Sequence, residues 1–544
     1  TLVFDAAQSG LSVDLGDGID RVDLGDGSDT VTVSNVEEVN LGGGDDLAVV
    51  EGEGFAHQTD KITVSGTVEA GADYTATING KTVSYTAQAG DTASAVRDGL
   101  ITAINTDAAV SGAVTAMAGD NSDEVLLRAT KVGAGEFMVN TATSSTQYEP
   151  TVTVLADGGT IMVWQDSNGS DVRGQRFDAA GNMVGDDFMI NTYTSNTMYT
   201  PSVAAHSDGF VVTWWDNSGS HSGGSSHDVF AKTYTTSGVD TPEVKVDAFL
   251  VNTDTSSHQE YPQVTSLQDG GFVIVWEDNS GGGNVDAGYS DDVYGQRYDV
   301  NGAPKGSEFL INSYSGGNQY APSVAPHGDG FVVTWYDNDG SADSRGGANI
   351  DIFAKTFTTK DVDTPVTGVD EFLVNSTSVS GNQYSPSVTQ LKTDGGFVVT
   401  WYDTSGTDNV SGGSGHDVFG QRYDASGTAV GTEFRVNMTT TSSQEHPTVA
   451  ATDDGFVVTW NAHNGASDGR GGSSYDVFAR VFSTTAGGTP QVVSGEVLVN
   501  ATVSGTQILS TYGGAKEVAG LPGGGFMVTW TDHDGSDDNQ GGSG

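Results

Sequence analysis

The chain has no cysteine, so neither disulfides nor thiolate metal sites hold it together. It has no apolar run near the ~18 residues of a membrane-spanning helix. Basic residues are scarce: 21 Lys and Arg stand against 72 Asp and Glu, a net charge of −51 over 544 residues. Such a chain repels phosphate backbones and anionic lipid headgroups, which excludes nucleic acid as a partner and argues against direct membrane insertion. The EF-hand loop with its closing Glu, the His-Glu-x-x-His zinc helix and the nucleophile elbow are all missing. The ten His are scattered, and every conspicuous Arg belongs to a repeat. No position stands out as catalytic, so the expectation at this level is a protein without enzymatic activity.

What is present is glycine (76 positions), aspartate, and 8 Trp, 18 Tyr and 21 Phe among Val-rich runs. Low hydrophobicity with high charge can mean disorder. Here the aromatics and the Val runs point to packed β-structure. Aspartate favours short rigid turns, and carboxylates crowded this densely repel one another unless a cation neutralises them. Ca2+, a hard ion taken up by oxygen ligands in Asp- and Gly-rich loops, is the expected cofactor. The predicted fold is predominantly all-β, in three regions. The chain starts at Thr1 and stops at Gly544 inside a repeat, which reads as a piece of a longer polypeptide.

Residues 1–57 carry a nine-residue period. Leu15-Gly16-Asp17-Gly18-Ile19-Asp20-Arg21-Val22-Asp23 is followed by Leu24-Gly25-Asp26-Gly27-Ser28-Asp29-Thr30-Val31, and Leu41-Gly42-Gly43-Gly44-Asp45-Asp46-Leu47 follows after a gap. Nine residues suffice for one short strand and one tight turn, and such coils stack into a parallel β-roll. The segment resembles the calcium-binding nonapeptide repeats of RTX proteins, although Leu stands where the family pattern opens with Gly. The resemblance implies metal ligation by Asp20, Asp29 and Asp46, with Asp17, Asp26 and Asp45 assisting. Residues 58–132 alternate strand patterns with one helical stretch from Ala93 to Ile104, a small α+β spacer similar to those of bacterial surface and phage tail proteins.

Residues 133–544 are a repeat array. An apolar strand ending in Trp recurs seven times (Trp164, Trp214, Trp276, Trp335, Trp401, Trp460 and Trp530) at intervals of 50 to 70 residues, and the last unit is incomplete. Each unit holds four short strands, the pattern of a β-propeller blade. The Trp strand is apolar at almost every position, as a strand buried on both faces should be. A second period overlies the first. Units one, three and five contain Gly-Gln-Arg-aromatic-Asp, and units two, four and six contain Ala-Lys/Arg-x-aromatic. An alternating ring suggests an even blade number, and eight is expected. The competing architecture is a string of β-sandwiches, each built from a repeat pair.

The long loop after each Trp strand is the candidate binding feature. It opens and closes on aspartates: Asp216 and Asp228, Asp278 and Asp292, Asp337 and Asp351, Asp403 and Asp417. Oxygen side chains spaced by glycine could wrap calcium, although Asp also starts turns and caps strands. Taken whole, the sequence resembles large secreted RTX-type surface proteins. That resemblance implies export by a type I apparatus, an extracellular or bacterial cell-surface location, and adhesion to a cell-surface glycan or protein, with calcium stiffening the array. The alternative is an S-layer or filament subunit assembling by self-association. A polysaccharide-active propeller enzyme is the less favoured reading.

Overall fold

In the computed structural model the chain divides into two compact units, Thr1–Gly135 with Pro522–Gly525, and Glu136–Leu521 with Phe526–Gly544. The described residues of the first are the strands and helix named below with residues 68, 70–78 and 81–106. Residues 522 and 525 also belong to it, and those of the second are 139–140 and 146–532, except 168–170, 180, 193–196, 218–226, 237–241, 256, 280–290, 315–316, 339–349, 376–380, 406–414, 440–441, 464–474, 485–487, 501–505, 511–513 and 522–525.

In the first unit, consecutive strands alternate between two sheets. Leu2–Val3, Arg21–Asp23, Glu38–Leu41 and Thr59–Val64 pair in parallel in one. Leu11–Asp14, Thr30–Ser34, Leu47–Val50 and Asp73–Ile78 pair in parallel in the other. This is the coil of a parallel β-roll. It continues without a break into the spacer: Glu124–Ala129 and Val114–Ala118 extend the first sheet antiparallel, and Lys81–Thr86 extends the second. The helix Ala93–Thr106 buries Val96, Leu100 and Ile104, spaced to lie on one face. Thr92 caps it by accepting a hydrogen bond from the Ala95 amide at 3.3 Å.

The second unit is a β-propeller with six four-stranded antiparallel blades among the described residues. Blade three shows the plan: Gln259–Ser266 innermost, then Phe272–Asp278, Asp292–Tyr298 and Pro304–Leu310. The other inner strands are Gln147–Val154, Met198–His206, Gln319–His327, Gln383–Gln390 and Ser443–Ala451. Inner strands of successive blades pack side by side, which a string of sandwiches would not allow. The expected eight blades are not found. The incomplete seventh unit supplies two strand pairs, Gln507–Ile508 with Thr531–Asp532 and Val518–Gly520 with Phe526–Val528. Val518–Gly520 lies against both the sixth inner strand and the first, so it fills the seam.

Burial follows the sequence pattern. The Phe272–Asp278 strand is buried at every position, because it is sandwiched between neighbouring blades. Val332, Ile352 and Ala354 of blade four, for example, pack on Val388, Phe397, Val399 and Trp401 of blade five. Fourth strands face solvent, leaving Met183, Met189 and Val244 exposed.

The two-blade period also has a cause. In odd blades the Arg of Gly-Gln-Arg pairs with the Asp of the Asp-Gly-Gly turn: Arg176 with Asp157, Arg297 with Asp269, Arg422 with Asp394. The middle glycines take positive φ (Gly158 +83°, Gly270 +84°, Gly395 +73°), which a side chain at that position would resist. Arg297 and Arg422 also donate to Val362 and Gly488 carbonyls in the following even blade. The repeating structural element is therefore a coupled pair of blades.

Candidate active site at the propeller axis

The eight aspartates read from the long loops come together as four cross-strand pairs. Asp216 lies opposite Asp228, Asp278 opposite Asp292, Asp337 opposite Asp351, and Asp403 opposite Asp417. All eight are buried. Blade one adds Asp166 opposite Asp171, and blade six breaks the series with Ala462 opposite Asp476. Like charges directly opposite each other destabilise a ladder, so these pairs need compensation. Part of it comes from an asparagine that follows Val or Ile at the end of each unit, as in Ile311-Asn312 and Val374-Asn375. Asn375 donates through Nδ2 to Asp351 at 2.8 Å and to Gln383 Oε1 at 3.0 Å, and its Oδ1 accepts from the Ile352 amide at 2.8 Å. Gln383 then donates to Asp403 at 3.0 Å. Asn312 repeats the arrangement one blade earlier, on Asp292 and Gln319. The result is a run of buried polar groups that links blade two to three, three to four and four to five, while Met198 takes the Gln position in blade two. Asp17, Asp20, Asp26, Asp29, Asp45 and Asp46 lie outside the described residues.

Nearer the axis, each inner strand carries a bulge just before a proline. Glu149, Thr200, Tyr261, Ala321, Ser385 and His446 all hold φ between +41° and +52°, and the ladder slips one position beyond each. Non-glycine residues in this conformation cost ~1–3 kcal/mol each and gather where function needs strain. The six side chains differ although the repeat around them is constant.

The axis is crossed by the segment 514–517. The Lys516 carbonyl accepts from the Val152 amide of blade one, Lys516 Nζ reaches the Val264 carbonyl of blade three at 3.1 Å, and Ala515 O accepts from Thr448 Oγ1 of blade six. At Gly514 (φ +90°) an added Cβ would sit 2.2 Å from the Pro322 carbonyl of blade four. Only glycine fits there.

Between this segment and the bulges lies a pocket lined by Glu149, Thr200, Tyr261, Gln263 and Ser510, with room for about one water molecule. Burial drives Glu149 of this pocket, and two carboxyls outside its lining, toward the neutral form. Glu149 is pushed up to about 7 despite a hydrogen bond from the Thr200 amide. Glu517, beside it, is pushed up to about 8 by burial, and the charge of Glu149 adds to the effect. Glu277 is raised well above the usual carboxylate range by burial, although it accepts from the Ala321 amide at 2.6 Å. Burial lowers Lys516 to about 8. Glu149 thus holds and releases a proton near neutrality beside a water-sized space, with Glu517 coupled to it by charge, the arrangement general acid–base chemistry uses.

Aromatic rings flank this centre. Tyr261 meets Trp215 edge-on at 6.2 Å, and Trp215 stacks on Tyr199 at 4.2 Å. Across blades four and five, Tyr320, Tyr336, Tyr384 and Tyr402 form a chain with centroid separations of 5.4 to 5.5 Å. Each ring is partly exposed except Trp215, which is buried. Sequence reading missed the axial glutamates and this belt. The available signal was variability: the residue before the repeated proline is the one that the repeat does not keep.

No protein-family model matches the chain, and no curated protein matches it. Among solved structures the chain is similar to a Hadza microbial sialidase (13% identity, TM-score 0.38, 62% of this chain and 69% of that one). It is also similar to a Trypanosoma rangeli sialidase in complex with the inhibitor DANA (10%, 0.37, 62% and 55%). A third is a Penicillium chrysogenum α-L-arabinanase complexed with arabinobiose (12%, 0.39, 60% and 93%). At these identities the likeness is one of fold. These findings correct two expectations, adhesion or matrix interaction as the function and the absence of enzymatic activity: the similar propellers named here are glycoside hydrolases. Among the described residues no helix is long and apolar enough to cross a membrane.

Proposed function

We propose that the propeller acts on polysaccharide, hydrolysing a glycosidic bond at the axial pocket. The observation that carries this reading is the pair of buried carboxyls, Glu149 and Glu517, whose proton affinities are raised toward neutrality and which oppose each other's ionisation. Glycoside hydrolysis needs one carboxylic acid to protonate the leaving oxygen and one carboxylate to activate water. Two interacting carboxyls supply both states, because ionising one holds the proton on the other. Glu149, which lines the pocket and ionises first, takes the proton from the attacking water. Glu517, which keeps its proton to higher pH, is the acid. The partly exposed tyrosines beside the axis offer flat faces on which sugar rings can lie. A sugar ring reaches Glu149 only if the segment 514–517 withdraws, since the pocket admits little more than water. The test is release of reducing ends from a panel of acidic and neutral polysaccharides by the purified chain. Glu149→Gln is expected to reduce the rate at least a hundredfold. If wild-type protein releases nothing from any member, the reading fails.

We also propose that Ca2+ occupies the cross-strand aspartate pairs and the turns of residues 15–47, in keeping with an extracellular protein that meets millimolar calcium. The supporting observation is the direct opposition of carboxylates in five blades, buried on both strands in four of them, a charge arrangement that oxygen-seeking divalent ions relieve. Calorimetric titration of the chelated chain tests it. A stoichiometry near zero refutes it.

A further inference from the structure

Between blades two and three sits a cluster that neither the calcium reading nor the axial chemistry uses. His227 immediately precedes the third strand of blade two, Asp228–Thr235, while His258 and Glu260 flank Gln259 at the start of the inner strand of blade three. His227 and His258 form an isolated parallel bridge, and the Gln259 amide donates to the His227 carbonyl at 3.1 Å. The backbone therefore fixes both histidines against each other. Their rings stack with centroids 4.2 Å apart. His227 Nδ1 contacts Glu260 Oε1, and His258 Nδ1 lies 3.8 Å from the same oxygen. One ligand atom from each residue falls within 4.8 Å of the others.

We propose that His227, His258 and Glu260 bind a divalent transition metal of the zinc class, joining blade two to blade three. Two imidazole nitrogens and one carboxylate oxygen are a borderline-soft set that Zn2+ takes and Ca2+ does not. Tetrahedral bonds of ~2.0–2.2 Å place ligand atoms ~3.3 Å apart. The cluster must therefore contract by ~1.5 Å at its widest, and the half-exposed His258 side chain (49%) has the freedom to do so. Three protein ligands leave a position open to water or an incoming group. Trp215 holds the His227 ring from one side, with centroids 4.7 Å apart.

The repeat itself contains a comparison site. Between blades five and six, His416 and Glu445 occupy the equivalent positions and contact each other at 2.5 Å. There Ser443 stands where blade three has His258, so the third ligand is lacking. The His–Glu contact alone is a side-chain link between blades. The added histidine turns it into a metal site.

The experiment titrates the chelated full chain with Zn2+ in saturating Ca2+, and with Co2+ while recording visible absorption and tryptophan fluorescence. One tight site is expected, with a tetrahedral Co2+ spectrum and partial quenching of Trp215. His258→Ala and Glu260→Gln should each weaken Zn2+ affinity by tenfold or more, with unchanged circular dichroism to show that the propeller still folds. Ser443→His should raise the stoichiometry to two. Zn2+ affinity unchanged in both His258→Ala and Glu260→Gln, or a Co2+ spectrum typical of free octahedral ion, would overturn the assignment.

Discussion

Replacing Glu149 by Gln tests the axial chemistry without reference to any substrate. In the unfolded chain this carboxyl releases its proton near its ordinary 4.5, whereas in the propeller it keeps it until about 7. A raised affinity for the proton means that the group's contribution to stability is complete below pH 4.5 and is lost as the pH rises through 7. At about 1.4 kcal/mol for each tenfold change in proton affinity, the loss amounts to about 3 kcal/mol. Glutamine keeps an oxygen that can accept from the Thr200 amide and has no proton to lose. The variant should therefore match the wild type at pH 4.5 and exceed it by about 3 kcal/mol at pH 8. Taking the difference between the two proteins cancels titrations that do not depend on the charge of Glu149, such as His446, which burial lowers to about 4. The assay is the urea midpoint followed by tryptophan fluorescence across this pH range. A difference between variant and wild type that stays flat with pH would mean that Glu149 ionises as if in water, and the proposed carboxyl pair would be lost with it.

The same comparison for Glu517→Gln should give a larger gain, about 5 kcal/mol, completed near pH 8. Asn375→Ala removes the bridge between blades four and five and leaves Asp351, Gln383 and the Ile352 amide short of a partner; denaturant titration should show a loss of about 3 kcal/mol or more. Asp403→Asn distinguishes the two accounts of the aspartate pairs: with calcium bound it should lower the melting temperature and remove about one equivalent from the titration, whereas relief of bare repulsion would raise it. Gly514→Ala forces a side chain against the Pro322 carbonyl, and thermal melting should show destabilisation of about 2 kcal/mol or more.

How much of this could be read from the sequence depended on how each feature is encoded. The blades were legible because a strand buried on both faces must be apolar throughout: Phe272 to Trp276 and its six counterparts mark themselves. The Asp216/Asp228 type of pairing was half legible. The sequence showed two aspartates bracketing a loop, but not that antiparallel register sets them face to face. Blade number was not legible, because closure depends on the wedge angle of each interface, and the alternation that suggested eight reflects Arg297 and Arg422 reaching into the next blade. The axial glutamates were hidden for a related reason. Glu149 and Glu517 are hundreds of residues apart and meet only once the ring has formed, whereas a sequence motif must lie within a few residues to be noticed. The cluster at His227 escaped because its members come from two repeats.

The segment that crosses the axis has a kinetic consequence. Val152, near the start of the propeller, waits for the carbonyl of Lys516, and the Thr529 hydroxyl donates to the Pro150 carbonyl across 379 residues. During synthesis the first inner strand therefore has a vacant side until nearly the whole array has emerged. Bringing such distant segments together costs on the order of 5 kcal/mol in chain entropy, which the contacts of residues 507–532 must offset. A nick or truncation near residue 514 should thus reopen the circle far from the cut, at blade one.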